Sequence, residues 1–290
     1  MSDAETIILK PRVLDLGGFQ VRRVLPGHPI QMVGPFIFFD HIGPSTFAAG
    51  SGVDVRPHPH IGLATVTYLF QGSLLHRDSL GSVQEIRPGD VNWMTAGRGI
   101  AHSERTPAEQ RPAGPLLHGI QTWVALPKAA EETVPAFAHH PAAALPELQR
   151  DGVKLRVIAG KAFGALSPVE TQSAVLYCAL EFAPGARIAV PAEHAERAVY
   201  LVDGELTVAG NPLEPQNLAV LPAKKTVDLA SGSGARVLLL GGEPMDGPRF
   251  ISWNFVSSSK DRIEQARADW KAQRFDPVPG ETERIPLPEN

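Results

Sequence analysis

Residues 56–72 read RPHPHIGLATVTYLFQG, and this stretch decides how the rest of the chain is understood. The run LATVTYLF is rich in β-branched and aromatic residues and stops at a glycine, which is the pattern of a buried β-strand rather than a helix. Just before it, His58 and His60 stand two apart. On a strand that spacing sends both imidazoles to the same face.

Working outward, short apolar runs recur along the first 250 residues, among them GPFIFFDHIG, HGIQTWVALP, VKLRVIAG, SAVLYCALEF and ARVLLLGGEP. The 27 glycines and 27 prolines fall between them as punctuation. This predicts an all-β protein of many short strands. The exception lies near the end, in SSSKDRIEQARADWKAQRF. A serine at 258 or 259 can cap a helix over about 259–273, with Ile263, Ala266 and Trp270 on one stripe and Pro277 and Pro279 barring continuation. The tail RIPLPEN reads as extended.

A length of 290 residues suggests two domains. The stretch 127–152 is rich in alanine, proline and charge, and reads as their connection, with a short helical turn at most and with His139 and His140 exposed. The division expected is residues 1–130 and 150–290. FQGSL (70–74) and VDGEL (202–206) each follow an apolar run, a faint internal repeat that fits one domain duplicated. The net charge of −4 argues against a nucleic-acid-coating role. No run approaches the roughly 20 apolar residues of a membrane span, and MSDAETIILKPR has no apolar signal core, so a cytoplasmic protein is expected. Cys178 is the single cysteine, which excludes an internal disulfide, a thiolate zinc cluster and an iron–sulfur centre. Any metal must be held by His, Asp or Glu.

A second pair answers the first. In RPGDVNWMTAGRGIAHSERTP, His102 and Glu104 repeat the spacing of two. Two such pairs on neighbouring strands can converge, and three imidazoles with one carboxylate make a mixed nitrogen–oxygen site for Fe(II), Mn(II), Ni(II) or Co(II). A six-coordinate ion so held keeps two positions open, and its net positive charge favours an anionic ligand such as an enolate.

The setting sharpens this reading. Gly52 lies six before His58, giving G-x5-H-x-H, which resembles the first motif of the cupin superfamily. The longer strings FDHIGP, RPHPHIGLATVTYLFQG, LHRDSLG, IRPGDVNWMTAGRGIAHSE and GIQTWVALP resemble the pirin family, whose members are two-cupin proteins. The resemblance covers the N-terminal block and continues, more weakly, in HAERAVYLVDGEL and SKDRIEQARADW. It implies a fold of two tandem cupin barrels with a short terminal helix, the first barrel metal-bearing and the second not. It places His58, His60, His102 and Glu104 on the metal-ligand positions and implies iron. It also implies either of two activities: a dioxygenase opening quercetin-type flavonols, or a redox-responsive regulatory protein that binds iron without turnover. The partners implied are a small aromatic substrate and O2, with no nucleic acid or membrane, and a protein partner left unidentified. There are departures. Ala64 and Thr65 occupy the slots where a general cupin carries a glutamate ligand, and Thr95 stands where general cupins prefer proline.

For the enzymatic reading, Glu104 serves as ligand and base toward the 3-hydroxyl of a flavonol, dioxygen adds across the activated ring bond, and carbon monoxide leaves. Gln121 is a candidate substrate contact. The remaining residues carry plainer expectations. Asp40 and His41 read as the polar end of a buried strand. His76 and Asp78 read as turn and strand residues, and Trp93 and Met94 as core. Arg98 reads as structural, and Cys178 as an inert buried thiol. His194 has no histidine partner in the second block and cannot by itself hold a metal.

Overall fold

The computed structural model describes residues 6–16 and 18–289. They form two compact units, and neither is one continuous stretch of sequence. The first joins Asp15–Val21, His41–Ala142 and Asp246–Asn290. The second joins Met1–Leu14, Arg22–Asp40 and Ala143–Met245.

In the first unit the strands are β1 (Asp54–His60), β2 (Leu63–Gln71), β3 (Leu74–Asp78), β4 (Val83–Ile86), β5 (Val91–Thr95), β6 (Ile100–Arg105), β7 (Leu116–Ala125) and β8 (Ala136–His140). One sheet runs β1–β6–β3–β4, and a second holds β8–β5–β2–β7 as neighbours. All of these pairings are antiparallel. The side chains of β2 are buried from Leu63 to Leu69 on both faces, which is why that strand reads as an unbroken apolar run instead of an alternating one.

The C-terminal segment returns to this unit. Helix α1 (Lys260–Lys271) starts where Ser259 Oγ accepts the N–H of Arg262 at 3.3 Å. It buries Ile263, Ala266 and Trp270, the stripe expected from the sequence, against Ile61, Ala101, Phe255 and Val278. Beyond it the described residues have no regular structure, and Trp270 Nε1 donates to Ile285 O at 3.0 Å.

The second unit repeats the two-sheet plan. One sheet follows the order Ile7–Leu9, Leu218–Val220, Glu196–Gly204, Ala235–Gly242, Val175–Phe182, Val153–Ala162 and Glu147–Arg150, and the other Arg187–Val190, Val227–Ala230, Leu206–Val208 and Asn211–Leu213. Leu155, Val157, Leu180, Val199, Leu201, Val237 and Leu239 form its core together with Cys178. Burial pushes the Cys178 thiol far above its ordinary pKa, so the thiolate does not form at neutral pH. The faint repeat has a structural basis. Gly72 and Gly204 sit at equivalent turns with φ of +78° and +88°, and a Cβ there would meet Leu116 O at 1.9 Å and Gly234 O at 2.3 Å. Only glycine fits either turn.

The stretch 127–152 corrects the expectation of a bare connection. Residues Ala136–His140 extend the sheet by pairing with β5, and Glu147–Arg150 pairs with Val153–Ala162. Three-residue 3-10 turns at Lys128–Ala130 and Ala142–Ala144 are its only helical parts. His139 and His140 are therefore half-buried rather than exposed, and His139 Nδ1 lies 2.8 Å from Asn92 Oδ1. Low β-propensity was overridden here by an open sheet edge that needed a partner. Among the described residues no helix is long and apolar enough to cross a membrane.

Candidate metal centre

Strand alternation on β1 and β6 turns four side chains toward the interior of the first unit. His58, His60, His102 and Glu104 are all buried, at 7%, 1%, 1% and 7% exposure. The two strands are neighbours, and His102 pairs directly with His58. The sequence reading placed these pairs on adjacent strands, and that is where they lie.

His58, His60 and His102 each offer a ring nitrogen within 4.8 Å of the other two, the one such group among the described residues. His58 Nδ1 lies 2.9 Å from Arg56 O, and His60 Nδ1 lies 3.0 Å from Asn254 O. A carbonyl only accepts, so both Nδ1 atoms carry the proton and both Nε2 atoms present a lone pair. This is the tautomer a metal-binding imidazole adopts, fixed by the bond its other nitrogen makes. His60 Nε2 and His102 Nε2 face each other at 3.1 Å. Two ligands at roughly 2.1 Å from one ion, at a right angle, stand about 3 Å apart, so the separation suits adjacent positions on an octahedral centre. His102 Nδ1 is buried without a hydrogen-bond partner among the described residues. The donor set and its geometry fit a divalent ion.

Burial also sets the protonation. All three imidazoles have pKa values below the ordinary 6.5, chiefly because burial disfavours the cation. His60 and His102 are further lowered by neighbouring histidines. In His58 the Arg56 carbonyl and the Glu104 carboxylate oppose the shift in part. The cluster is neutral at pH 7, as ligation requires. It follows that the unfolded chain, with pKa near 6.5, takes up protons that the folded metal-free protein refuses. Stability is full above pH 6.5 and falls as pH drops below it. Thermal melts of the metal-free protein between pH 8 and 5 should show Tm falling below 6.5, and a triple His58→Gln, His60→Gln, His102→Gln variant should lose that dependence.

Glu104 is placed differently. Its Oε1 accepts Gln121 Nε2 at 2.6 Å and lies 3.5 Å from Thr67 Oγ1, while the three-nitrogen group does not include it. Gln121, a candidate substrate contact from the sequence, donates to this carboxylate. Trp123, two residues on, sets its ring edge to His60 with centroids 5.2 Å apart.

Two residues read as ordinary turn and strand positions lie against the cluster. His76 pairs with Glu104 and Asp78 with His102 across β3 and β6. His76 Nε2 lies 3.0 Å from Asp78 Oδ2, its ring stacks on Phe137 at 4.3 Å, and it sits 5.3 Å from the ring of His102. Asp78 Oδ1 accepts the N–H groups of Leu80 and Ser82. Burial raises the Asp78 pKa, but the bonds from His76 and Ser82 outweigh it and hold the group ionised. The signal was present in LLHRDS, where His76 and Asp78 repeat the spacing of two. Asp40 and His41 lie buried in the middle of the strand Phe36–Thr46 and not at its polar end. Asp40 takes a two-pronged bond from Arg23 at 2.7 Å, and His41 Nε2 faces His118 Nε2 at 2.8 Å, neither histidine belonging to the three-histidine group. Trp93 and Met94 are core residues.

Comparison with known proteins agrees with this architecture. The Pirin family matches residues 18–124, and the Pirin C-terminal cupin domain matches residues 177–276. A pirin-like protein of Caulobacter vibrioides is 52% identical over 287 residues, covering 98% of this chain and 99% of its own. Pirin of Rattus norvegicus is 34% identical over 262 residues, covering 88% and 87%. The crystal structure of quercetin 2,3-dioxygenase from Acinetobacter baumannii superposes with a TM-score of 0.92 at 36% identity, covering 98% of this chain and 95% of that one. The fold is that of tandem cupin domains, and the chain belongs to the pirin family.

Proposed function

We propose that this chain is a metal-dependent dioxygenase that opens quercetin-type flavonols, or a similar enolisable aromatic, with O2. The observation that carries the reading is the buried group of three neutral imidazoles with a carboxylate beside it. The likeness to a quercetin 2,3-dioxygenase supports the substrate class.

His58, His60 and His102 would hold the ion, Fe(II) by preference, with Glu104 as the fourth ligand. When bound, the ion supplies Lewis-acid compensation for an enolate and a one-electron route to dioxygen. The chain's own residues do the rest. Arg56 O and Asn254 O keep two imidazoles in the ligating tautomer. Gln121 and Thr67 bind Glu104 through Oε1 and fix the rotation of the carboxylate that would ligate the ion and take the proton of the substrate hydroxyl. Trp123 and Phe137 pack around the imidazoles of His60 and His76 and exclude water from them.

The test is aerobic loss of quercetin, followed by absorbance, with protein loaded anaerobically with Fe(II). Metal-free protein and Glu104→Ala run beside it. Decay should depend on iron and slow at least about 100-fold in Glu104→Ala, the lower end of what a general base contributes. Full-length protein holding one iron per chain with no decay would overturn the enzyme reading in favour of a non-catalytic iron-binding regulator.

A further inference from the structure

The metal ligands on β1 and β6 do not sit on a regular ladder. His102 pairs with His58, yet Glu104 pairs with Val55, so two steps along β6 match three along β1. This is a β-bulge, and a bulge interrupts the backbone bonds that would otherwise set the spacing of the two strands. The interruption falls between the two ligand positions of β6.

On the reverse face of these strands lies the segment that follows α1. Glu281, a half-buried residue whose side chain is 7% exposed, accepts Ser103 Oγ at 2.8 Å and takes both Nε and Nη2 of Arg105, at 2.9 and 2.6 Å. Ser103 and Arg105 flank Glu104. The N–H of Ile285 donates to Pro57 O at 2.8 Å, within the bulged part of β1 and next to His58. The tail thus bonds to both strands at the point where they do not bond regularly to each other. Val278 packs with Ile61 and Ala101, and a pocket of about 380 Å³ lined in part by Pro57, Ala101, Phe275, Val278 and Glu281 opens beside these bonds. Apolar packing is non-directional, whereas a charge-assisted fork fixes a distance.

We propose that the C-terminal tail is a positioning clasp for the metal centre, in which Glu281 and the Ile285 N–H brace the bulge and so set the placement of Glu104 and His102 relative to His58. Neither group touches the metal. The proposal rests on the reading of the three-histidine group as a metal site. It goes beyond that reading by assigning the spacing of the ligands to a segment about 180 residues away in sequence.

The experiment uses full-length protein and Co(II), whose visible absorption reports ligand geometry and whose titration gives an affinity. Glu281→Ala and Ile285→Pro, which removes the donor, are each expected to weaken Co(II) binding about tenfold and to shift the absorption band. Glu281→Gln keeps an acceptor for Ser103 and should recover part of the loss. Arg236→Gln breaks an ion pair with Asp203 in the second unit that touches neither β1 nor β6, and should leave spectrum and affinity unchanged whatever it does to Tm. Wild-type affinity and spectrum in the Glu281 and Ile285 variants would overturn the clasp while leaving the metal site intact. Failure of the wild type itself to bind Co(II) would overturn the metal site, and the clasp with it.

Discussion

Replacing His60 with alanine should abolish stoichiometric metal binding, with affinity falling well over 100-fold. Loss of an outer partner of a ligand costs roughly 10–100-fold, and loss of a ligand itself costs more. His60 is the most constrained of the three: 1% exposed, tied through Nδ1 to Asn254 O, facing His102 Nε2 at 3.1 Å and edged by Trp123. The fold should survive, because the strand ladder runs through the backbone of β1 and because neutral His60 contributes no ion pair. Binding measured by metal content after gel filtration, with circular dichroism beside it, checks both halves. Full metal occupancy in a folded His60→Ala protein would place the metal elsewhere.

Arg249→Met should be the most destabilising single change outside the centre. The guanidinium is fully buried and its Nε lies 2.8 Å from Glu131 Oε1, whose carboxylate is only 8% exposed. Nη2 donates to Leu126 O at 2.8 Å and to Asp246. Glu131 in turn accepts Ser257 Oγ, Ser258 N and Ser258 Oγ at 3.1, 2.9 and 2.9 Å, at the entry to α1. Methionine keeps much of the volume but leaves a buried carboxylate without its cation. Breaking such a pair costs about 3–5 kcal/mol, which lowers Tm on the order of 10 °C for a unit of this size. Glu131→Leu added to Arg249→Met should recover part of the loss, since the orphaned charge leaves with it. A Tm within 2 °C of wild type for the single variant would show that the pair is solvated.

Much of the site could be read from spacing alone. His58/His60 and His102/Glu104 are pairs two apart, and a strand converts that spacing into a shared face whatever surrounds it. The terminal helix was legible for a similar reason, since Ile263, Ala266 and Trp270 record one buried stripe and Ser259 its cap. His76 and Asp78 carried the same spacing and were passed over, because a pair at the end of a hairpin turn looks the same whether or not its neighbour strand holds ligands. Gln121 was placed on an inward face, but its partner, Glu104, lies 17 residues away on another strand and leaves no local trace. The connection after Pro127 misled because its composition is poor in β-formers, while the strand Ala136–His140 exists through pairing with β5 and burial against His76.

What the sequence by itself determined is therefore the local record: short strands, their punctuation, the inward faces, the capped helix and the family likeness. Each depends on residues within a few positions of one another. Only the tertiary structure decided which segments belong together. It returned residues 246–290 to the histidine-bearing unit, set Asn254 O against His60, and laid Glu281 and Ile285 behind a bulge in the ligand strands. Those contacts join backbone carbonyls and side chains more than 170 residues apart, and no periodicity in the chain encodes a partner at that distance.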